Sequence, residues 1–289
     1  LLGCGSTGTR THLPNLSKIA SRIELGPDGI WTARAVSSVS YPEDGNELCF
    51  RIEDSSFWFR HRNNCILDII RRLPPPGTFF DIGGGNGYVA HAIQNAGLET
   101  VLVEPGSSGA RNAVKRGVRH VVRATLEDAG FLPEVLPAVG LFDVVEHIQE
   151  DRAFLAEIHR LMIPGGRVYV TVPAFRWLWS AEDEEAGHCR RYTVRSLSNT
   201  LEEAGFGVDF ATYFFGFLPA PIFLLRTLPH KLGLARKQSP EDAARADHQP
   251  GNSLANRIVQ TLMGRELSRI AAGKPCAWGG SCLVVARKT

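Results

Sequence analysis

One stretch constrains this chain more than any other: Phe79-Phe80-Asp81-Ile82-Gly83-Gly84-Gly85-Asn86-Gly87. The apolar residues at its start read as the end of a short strand, Thr78 to Ile82. Tyr88 to Asn95 after it reads as a helix, closed by Gly97. Glycines between a strand and a helix let the backbone turn tightly and approach a ligand at the carboxyl end of a sheet. The helix N–H groups then face that ligand. A dinucleotide fingerprint needs Gly or Ala at the position that Tyr88 occupies, and its side chain would obstruct helix–strand packing there. The spacing is instead G-x-G-x-G with Asp81 before it. That carboxylate suits a ligand carrying an amino group and no pyrophosphate. Glu104 ends the next strand, where an acid accepts hydrogen bonds from ribose hydroxyls. The plainer alternative is a tight turn with a surface glutamate.

Strands and helices alternate around this loop. Strands are expected at Thr100 to Val103, His120 to Ala124, Ala138 to Leu141, Arg167 to Val172, Val208 to Tyr213 and Cys282 to Ala286. Helices are expected within Glu53 to Arg72, before Pro74-Pro75-Pro76-Gly77, and at Ala110 to Arg116, Arg152 to Met162 and Val194 to Ala204. Strands separated by helices of this length give right-handed crossovers and an α/β fold, with a doubly wound, mostly parallel sheet. The length of 289 residues fits one large domain carrying an insertion. The expected division is an N-terminal extension over 1–52, a core over 53–213, an insertion over 214–280 and a last core strand over 281–289. Residues before Ser40 show no sustained period. The run Leu2-Gly3-Cys4-Gly5-Ser6 has no strand before it, so it is not read as a nucleotide loop.

The formal charge of +2 leaves no basic field for nucleic acid, so no nucleic-acid partner is expected. No apolar run is long enough to span a bilayer. The six cysteines form no C-x-x-C pair and are too few for a disulfide scaffold, so reduced thiols in a cytoplasmic protein are expected. Leu1 to Arg10 is small and polar, unlike a secretory signal.

The glycine loop and Glu104 together resemble motif I of class I S-adenosylmethionine (SAM)-dependent methyltransferases. The resemblance covers Glu53 to Gly207 and the last strand. It implies a Rossmann-like methyltransferase fold with seven strands, the last antiparallel, and SAM as cofactor. By resemblance Asp81, Gly83, Gly84, Gly85, Asn86 and Gly87 line the methionine part of the cofactor site, and Glu104 holds the ribose. Thr125 and Leu126 stand where the family often places an Asp and a small residue near the adenine. Glu127 and Asp128 lie just beyond, and which of these meets the adenine stays open. Phe142, at the end of the fourth strand, is counted with the cofactor site.

Asp143-Val144-Val145-Glu146-His147 follows at the carboxyl edge of the sheet. It resembles the E-H signature after strand four of many small-molecule methyltransferases. Some ubiquinone-pathway O-methyltransferases carry E-x-x-E-H there and bind a divalent metal. Three readings of the patch stand: a helix start capped by Asp143, a general base or substrate contact through His147 beside Glu146, and a metal site. No fourth protein ligand is evident for a metal, and none is assigned.

The segment Val172-Pro173-Ala174 to Arg190-Arg191-Tyr192 resembles a bacterial methyltransferase group with V-P-A, L-W-S, G-H and R-R-Y elements. It is expected to cover the acceptor pocket. His188 is a second candidate base, and Arg190 and Arg191 could clamp a phosphate or carboxylate. Alternatively Trp177 and Trp179 hold a lid on the core and the arginines pair with nearby acids. The run Phe57-Trp58-Phe59-Arg60-His61-Arg62 either covers the cofactor pocket, with Arg60 or Arg62 near the SAM carboxylate, or packs on the sheet.

Tyr213 to Leu225 is the most apolar run and is followed by Arg226, His230, Lys231, Arg236 and Lys237. Such a face can lie on an anionic membrane, or form a pocket wall or dimer contact. Gln238 to Asn252 is polar and reads as a loop. The activity expected from these features is methyl transfer from SAM to a small-molecule acceptor. A SAM-binding module without catalysis and a nicotinamide-dependent oxidoreductase are the alternatives.

Overall fold

Two central strands are buried along their whole length, as parallel strands are when helices cover both faces of their sheet. They are β3 (Phe79–Ile82) and β4 (Thr100–Val103). The computed structural model describes residues 15–35, 37, 43–234 and 254–289. The Leu2-to-Ser6 run and the Gln238-to-Asn252 stretch lie outside the described residues. The other strands are β1 (Ile23–Leu25), β2 (Trp31–Ala33), β5 (His120–Arg123), β6 (Leu136–Phe142), β7 (Met162–Pro173), β8 (Phe206–Phe214) and β9 (Ser281–Lys288).

All nine join one sheet in the order β1-β2-β5-β4-β3-β6-β7-β9-β8. Neighbours from β2 to β7 run parallel. β9 is antiparallel to both β7 and β8. β3 to β9 are therefore the seven strands implied by the resemblance, with the last one antiparallel. The count of seven is corrected to nine by β1 and β2. These come from the segment in which the sequence shows no period. Each is three residues long, too short for a pattern, and β2 is held by pairing Trp31 with Val122 and Thr32 with Arg123.

From β3 the chain builds β4 and β5 on one side and β6 and β7 on the other. Strand order reverses at β3, and ligands bind such sheets in the crevice at the carboxyl ends beside that reversal. The glycine loop leaves β3 at this point.

Core residues alternate between the faces. Phe80, Val101, Val139 and Leu141 pack on one side. Phe79, Tyr169 and Leu283 pack on the other, against Ile66 and Ile69 of the Phe57–Arg72 helix. Ser56 starts that helix by accepting the N–H groups of Trp58 and Phe59. The Leu254–Ala271 helix returns to lie on it. There Glu266 accepts the N–H groups of Phe215 (2.7 Å) and Gly216 (2.8 Å) and meets His61 Nε2 at 2.6 Å. Among the described residues no helix is long and apolar enough to cross a membrane, and Cys49, Cys65, Cys189, Cys276 and Cys282 form no disulfide.

Candidate functional site

The loop after β3 needs glycine for two separate reasons. Gly85 has φ 53°, a left-handed conformation that side chains disfavour. Gly84 is needed for space: a Cβ there would collide with Leu102 Cδ1 and stand 2.6 Å from Asp81 Oδ2. The loop therefore lies directly over the carboxylate at the end of β3. Gly83 faces Val144 of the next strand end, 2.9 Å from where its Cβ would be, so the loop abuts the acid–histidine patch. Gly87 is the N-cap of the Tyr88–Asn95 helix.

Asp81 is fully buried, and neither carboxylate oxygen has a hydrogen-bond partner of normal geometry. Burial raises its pKa to about 7; the Arg62 charge opposes this and Glu104 adds to it. A buried carboxylate in this condition is suited to an incoming ammonium group. Glu104, also buried, accepts Gly85 N–H at 2.9 Å and Gly106 N–H at 2.7 Å. Those bonds fix its rotamer and oppose the upward shift that burial imposes. They leave lone pairs free for hydroxyl donors. These residues fit the amino and ribose groups of SAM.

Asn86 does not face the same way. Its amide donates to Asn46 O (2.9 Å) and Glu53 Oε1 (3.2 Å), and its oxygen accepts from Asn112 (3.1 Å). Arg116 completes the network, bonding Asn86 O, Glu53 (2.6 Å) and Asp54 (2.8 Å). The helix Glu43–Ile52 is thereby fixed beside the glycine loop. Sequence reading missed Asn46, Glu53 and Arg116, because a polar helix contacting a loop through amides leaves no hydrophobic period.

Thr125 Oγ1 accepts Asp128 N–H and caps the Leu126–Ala129 helix. Leu126 is in the core, and Asp128 binds Ser37. The Phe142 ring stacks on Phe79 with centroids 6.2 Å apart, inside the core. Arg60 is exposed. Arg62 is buried, with Nη2 at 2.7 Å from Asp143 Oδ2. Its charge acts on both Asp81 and Glu146.

The patch itself gathers residues from two segments. Asp143 has φ 58° and is held by Arg62 and by the Thr171 hydroxyl. Glu146 is fully buried, and neither of its oxygens finds a partner. Burial, then the Asp143 charge, pushes its pKa well above the usual carboxylate range. The ring of His188 packs edge-on against His147 at 4.8 Å. Burial, then His188, lowers the His147 pKa, so that imidazole is neutral at neutral pH. His188 Nδ1 lies 2.8 Å from Asp183 Oδ1. Burial alone would raise the Asp183 pKa, but bonds from His188 and Arg191 and the Ser180 N–H outweigh it and bring it to about 2. An ionised Asp183 holds the proton of His188 on Nδ1 and leaves Nε2 as the basic atom.

His147 and His188, the two candidate bases, are thus neighbours, with Glu146 beside them. One ligand atom of each of the three lies within 4.8 Å of the others, so the group could hold a divalent cation. The arginines after His188 are committed to acids: Arg190 to Asp151 and Arg191 to Asp183, each at 2.7 Å. Trp177 stacks on Phe175 and Trp278. Asp183 as the partner of His188 was hidden in an acid-rich run, Glu182 to Glu185, in which any residue could have reached the histidine.

The family described as "Methyltransferase domain" matches residues 58–209. A probable S-adenosylmethionine-dependent methyltransferase of Mycolicibacterium smegmatis is 23% identical over 171 residues, 58% of this chain and 66% of that protein. One of Mycobacterium tuberculosis is 25% identical over 166 residues, 55% and 59% of the two chains. The chain spans less than two thirds of the length of these relatives. Among solved structures, a SAM-dependent methyltransferase of Thermotoga maritima, titled a possible histamine N-methyltransferase, is similar with TM-score 0.51. It is 17% identical, with 85% of this chain and 95% of that one covered. A phosphoethanolamine N-methyltransferase of Haemonchus contortus, solved with SAM, has TM-score 0.53 and 18% identity over 89% and 61%. The family match removes the nicotinamide-dependent alternative.

Proposed function

The chain belongs to the class I SAM-dependent methyltransferase family, and from that premise we propose that it moves a methyl group from SAM to a small-molecule acceptor deprotonated by His188. The observation that carries this reading is the Asp183–His188 pair, set beside Glu146 and His147 at the strand ends next to the glycine loop.

SAM, when bound, supplies a sulfonium-activated methyl group for in-line displacement. The chain's own residues do the rest. Asp81 receives the ammonium group and Glu104 the ribose hydroxyls. Arg62, paired with Asp143, keeps positive charge beside both buried acids. His188 Nε2 takes the acceptor proton, and Asp183 stabilises the imidazolium that results. Glu146, buried beside the two histidines with both oxygens unpartnered, meets the acceptor by a hydrogen bond.

The test is transfer of labelled methyl from SAM to a panel of phenols, sugars and amines. The intact chain should label an acceptor. His188→Ala should lose that labelling while calorimetry shows unchanged SAM affinity. Unchanged labelling by His188→Ala removes the assignment of the base; SAM binding without labelling of any acceptor supports a binding module instead.

A further inference from the structure

The chain from Pro219 to Lys231 forms one continuous helical stretch whose middle, Phe223–Thr227, is a π-helix. Its inward side is mixed: Pro219 is buried, Ile222 and Phe223 are half-buried, and Arg226, Thr227 and His230 continue that side at helical spacing. Thr227 Oγ1 donates to Leu178 O at 2.9 Å, Arg226 pairs with Glu182 at 3.4 Å, and His230 meets Glu184 at 3.5 Å. The outward stripe is leucine: Leu224, Leu225, Leu228 and Leu232 are 59%, 75%, 38% and 61% exposed. A surface helix of a globular protein ordinarily turns its apolar stripe to the core. Here the three polar contacts, with Pro219 and Phe223, hold the helix down and leave the leucines facing out.

What covers them is constrained by the chain itself. Residues 235–253 contain no Leu, Ile, Val, Met, Phe, Tyr or Trp, so that segment has only its alanines, Pro240 and Pro250 as apolar side chains to bring to the stripe. From Leu224 to Leu232 the stripe is ~12 Å long and one helix wide, a footprint of ~120 Å², well short of the ~800 Å² that each partner contributes to a standard protein interface. Two further features match a lipid surface. Residues 213–234 contain no acid, and Lys231 stands exposed beside the leucines. Trp177 and Trp278, half-exposed and stacked together, sit beside the helix, with Trp177 5.6 Å from Phe223. Tryptophan next to leucine and lysine is the composition of an interfacial anchor.

We propose that the Pro219–Lys231 helix docks on an anionic lipid bilayer through Leu224, Leu225, Leu228 and Leu232. The inference does not depend on the methyl-transfer reading. If both hold, the segment with Asp183 and His188, on which the helix leans through Glu182 and Glu184, is brought to the bilayer.

The test is co-sedimentation of the whole chain with vesicles of phosphatidylcholine alone, or with about one third phosphatidylglycerol. Binding to the anionic vesicles should exceed binding to neutral ones about tenfold. Leu224→Ser/Leu225→Ser/Leu228→Ser should lose that binding, and Lys231→Gln should weaken it about fivefold. Unchanged circular dichroism and SAM affinity in both variants show that the fold persists. Equal binding by the triple variant, or no binding to anionic vesicles, overturns the proposal. So does a concentration-dependent dimer that the triple variant abolishes, which assigns the stripe to a second copy.

Discussion

His188 and Asp183 are joined by a 2.8 Å contact between Nδ1 and Oδ1, and Arg191 meets the same carboxylate oxygen at 2.7 Å. The aspartate is thus held between two donors, and the histidine is presented in one tautomer. If His188 is the base, Asp183→Asn keeps the shape but presents an amide that can donate to Nδ1 and move the imidazole proton to Nε2. Methyl transfer should fall ~10²–10⁴-fold with SAM affinity unchanged. Steady-state rates at saturating SAM check this. A drop in SAM affinity with unaltered kcat would make the pair a structural clamp.

Asp183 also fixes part of the acid stability. Its pKa of about 2 in the folded chain is below its ordinary 3.8. A depressed carboxylate contributes stability above the unfolded pKa and loses it as pH falls through the folded value. About 2 kcal/mol should therefore disappear between pH 4 and pH 2. Urea titrations across that window should show a smaller loss in Asp183→Asn.

Asp81 has the opposite sign. Its pKa of about 7 lies above 3.8, so the folded chain without ligand retains a proton that the unfolded chain releases. Stability from this group is complete below pH 4 and falls by up to about 4 kcal/mol as pH rises through 7. Asp81→Asn should remove that fall, and the free protein should be more stable than the parent at pH 8. An ammonium ligand requires the ionised form. Calorimetric SAM affinity should therefore weaken about tenfold per unit below pH 7, and Asp81→Asn should abolish most of it at every pH. A flat affinity between pH 5.5 and pH 8 would falsify Asp81 as the ammonium acceptor.

The parts of this fold visible in the sequence are those that repeat a pattern. β3, β4 and β6 carry buried apolar runs, β3 and β4 with glycine or proline close to their ends, so these strand positions and the loop of Gly83 to Gly87 were legible. β1 and β2 were not, because three residues have no period and Trp31 finds its place only by pairing with Val122. Glu146 and His147 were visible as neighbours, and His188 as a separate residue. Their convergence depends on Cys189 N–H bonding Glu146 O at 2.7 Å, a contact between segments that spacing cannot encode. Phe142, at the end of β6, and Leu126, at the start of the helix after β5, read as cofactor residues from their positions, but their side chains pack in the core.

Gly84 tests the loop's approach to Asp81. Its backbone is ordinary, so Gly84→Ala adds no conformational strain and its whole effect is steric. The methyl must displace Leu102, which is fully buried, or the Asp81 carboxylate. Overpacking of this kind costs about 1–3 kcal/mol. SAM affinity should fall together with stability. Thermal unfolding with and without SAM separates the two: a variant that loses stability but keeps its full SAM-induced shift would show that the loop relaxes without moving Asp81.

Arg116 ties the glycine loop to the helix before the core, and it is the residue on which that joint should fail. Its guanidinium reaches Glu53, Asp54 and the carbonyl of Asn86, between the rings of Phe50 and Tyr88 at 4.9 and 5.0 Å. Burial already raises the Glu53 pKa, and the Arg116 charge is the main force against that shift. Arg116→Ala leaves a buried, unpaired acid and should cost about 3–5 kcal/mol. Arg116→Lys should recover only part of this, since an ammonium cannot span three acceptors in one plane. Adding Glu53→Gln to Arg116→Ala should restore stability, because the stranded charge is removed. Urea denaturation of the three variants decides the matter: if the double variant is no more stable than Arg116→Ala, the loss comes from the Asn86 and ring contacts and not from the ion pair.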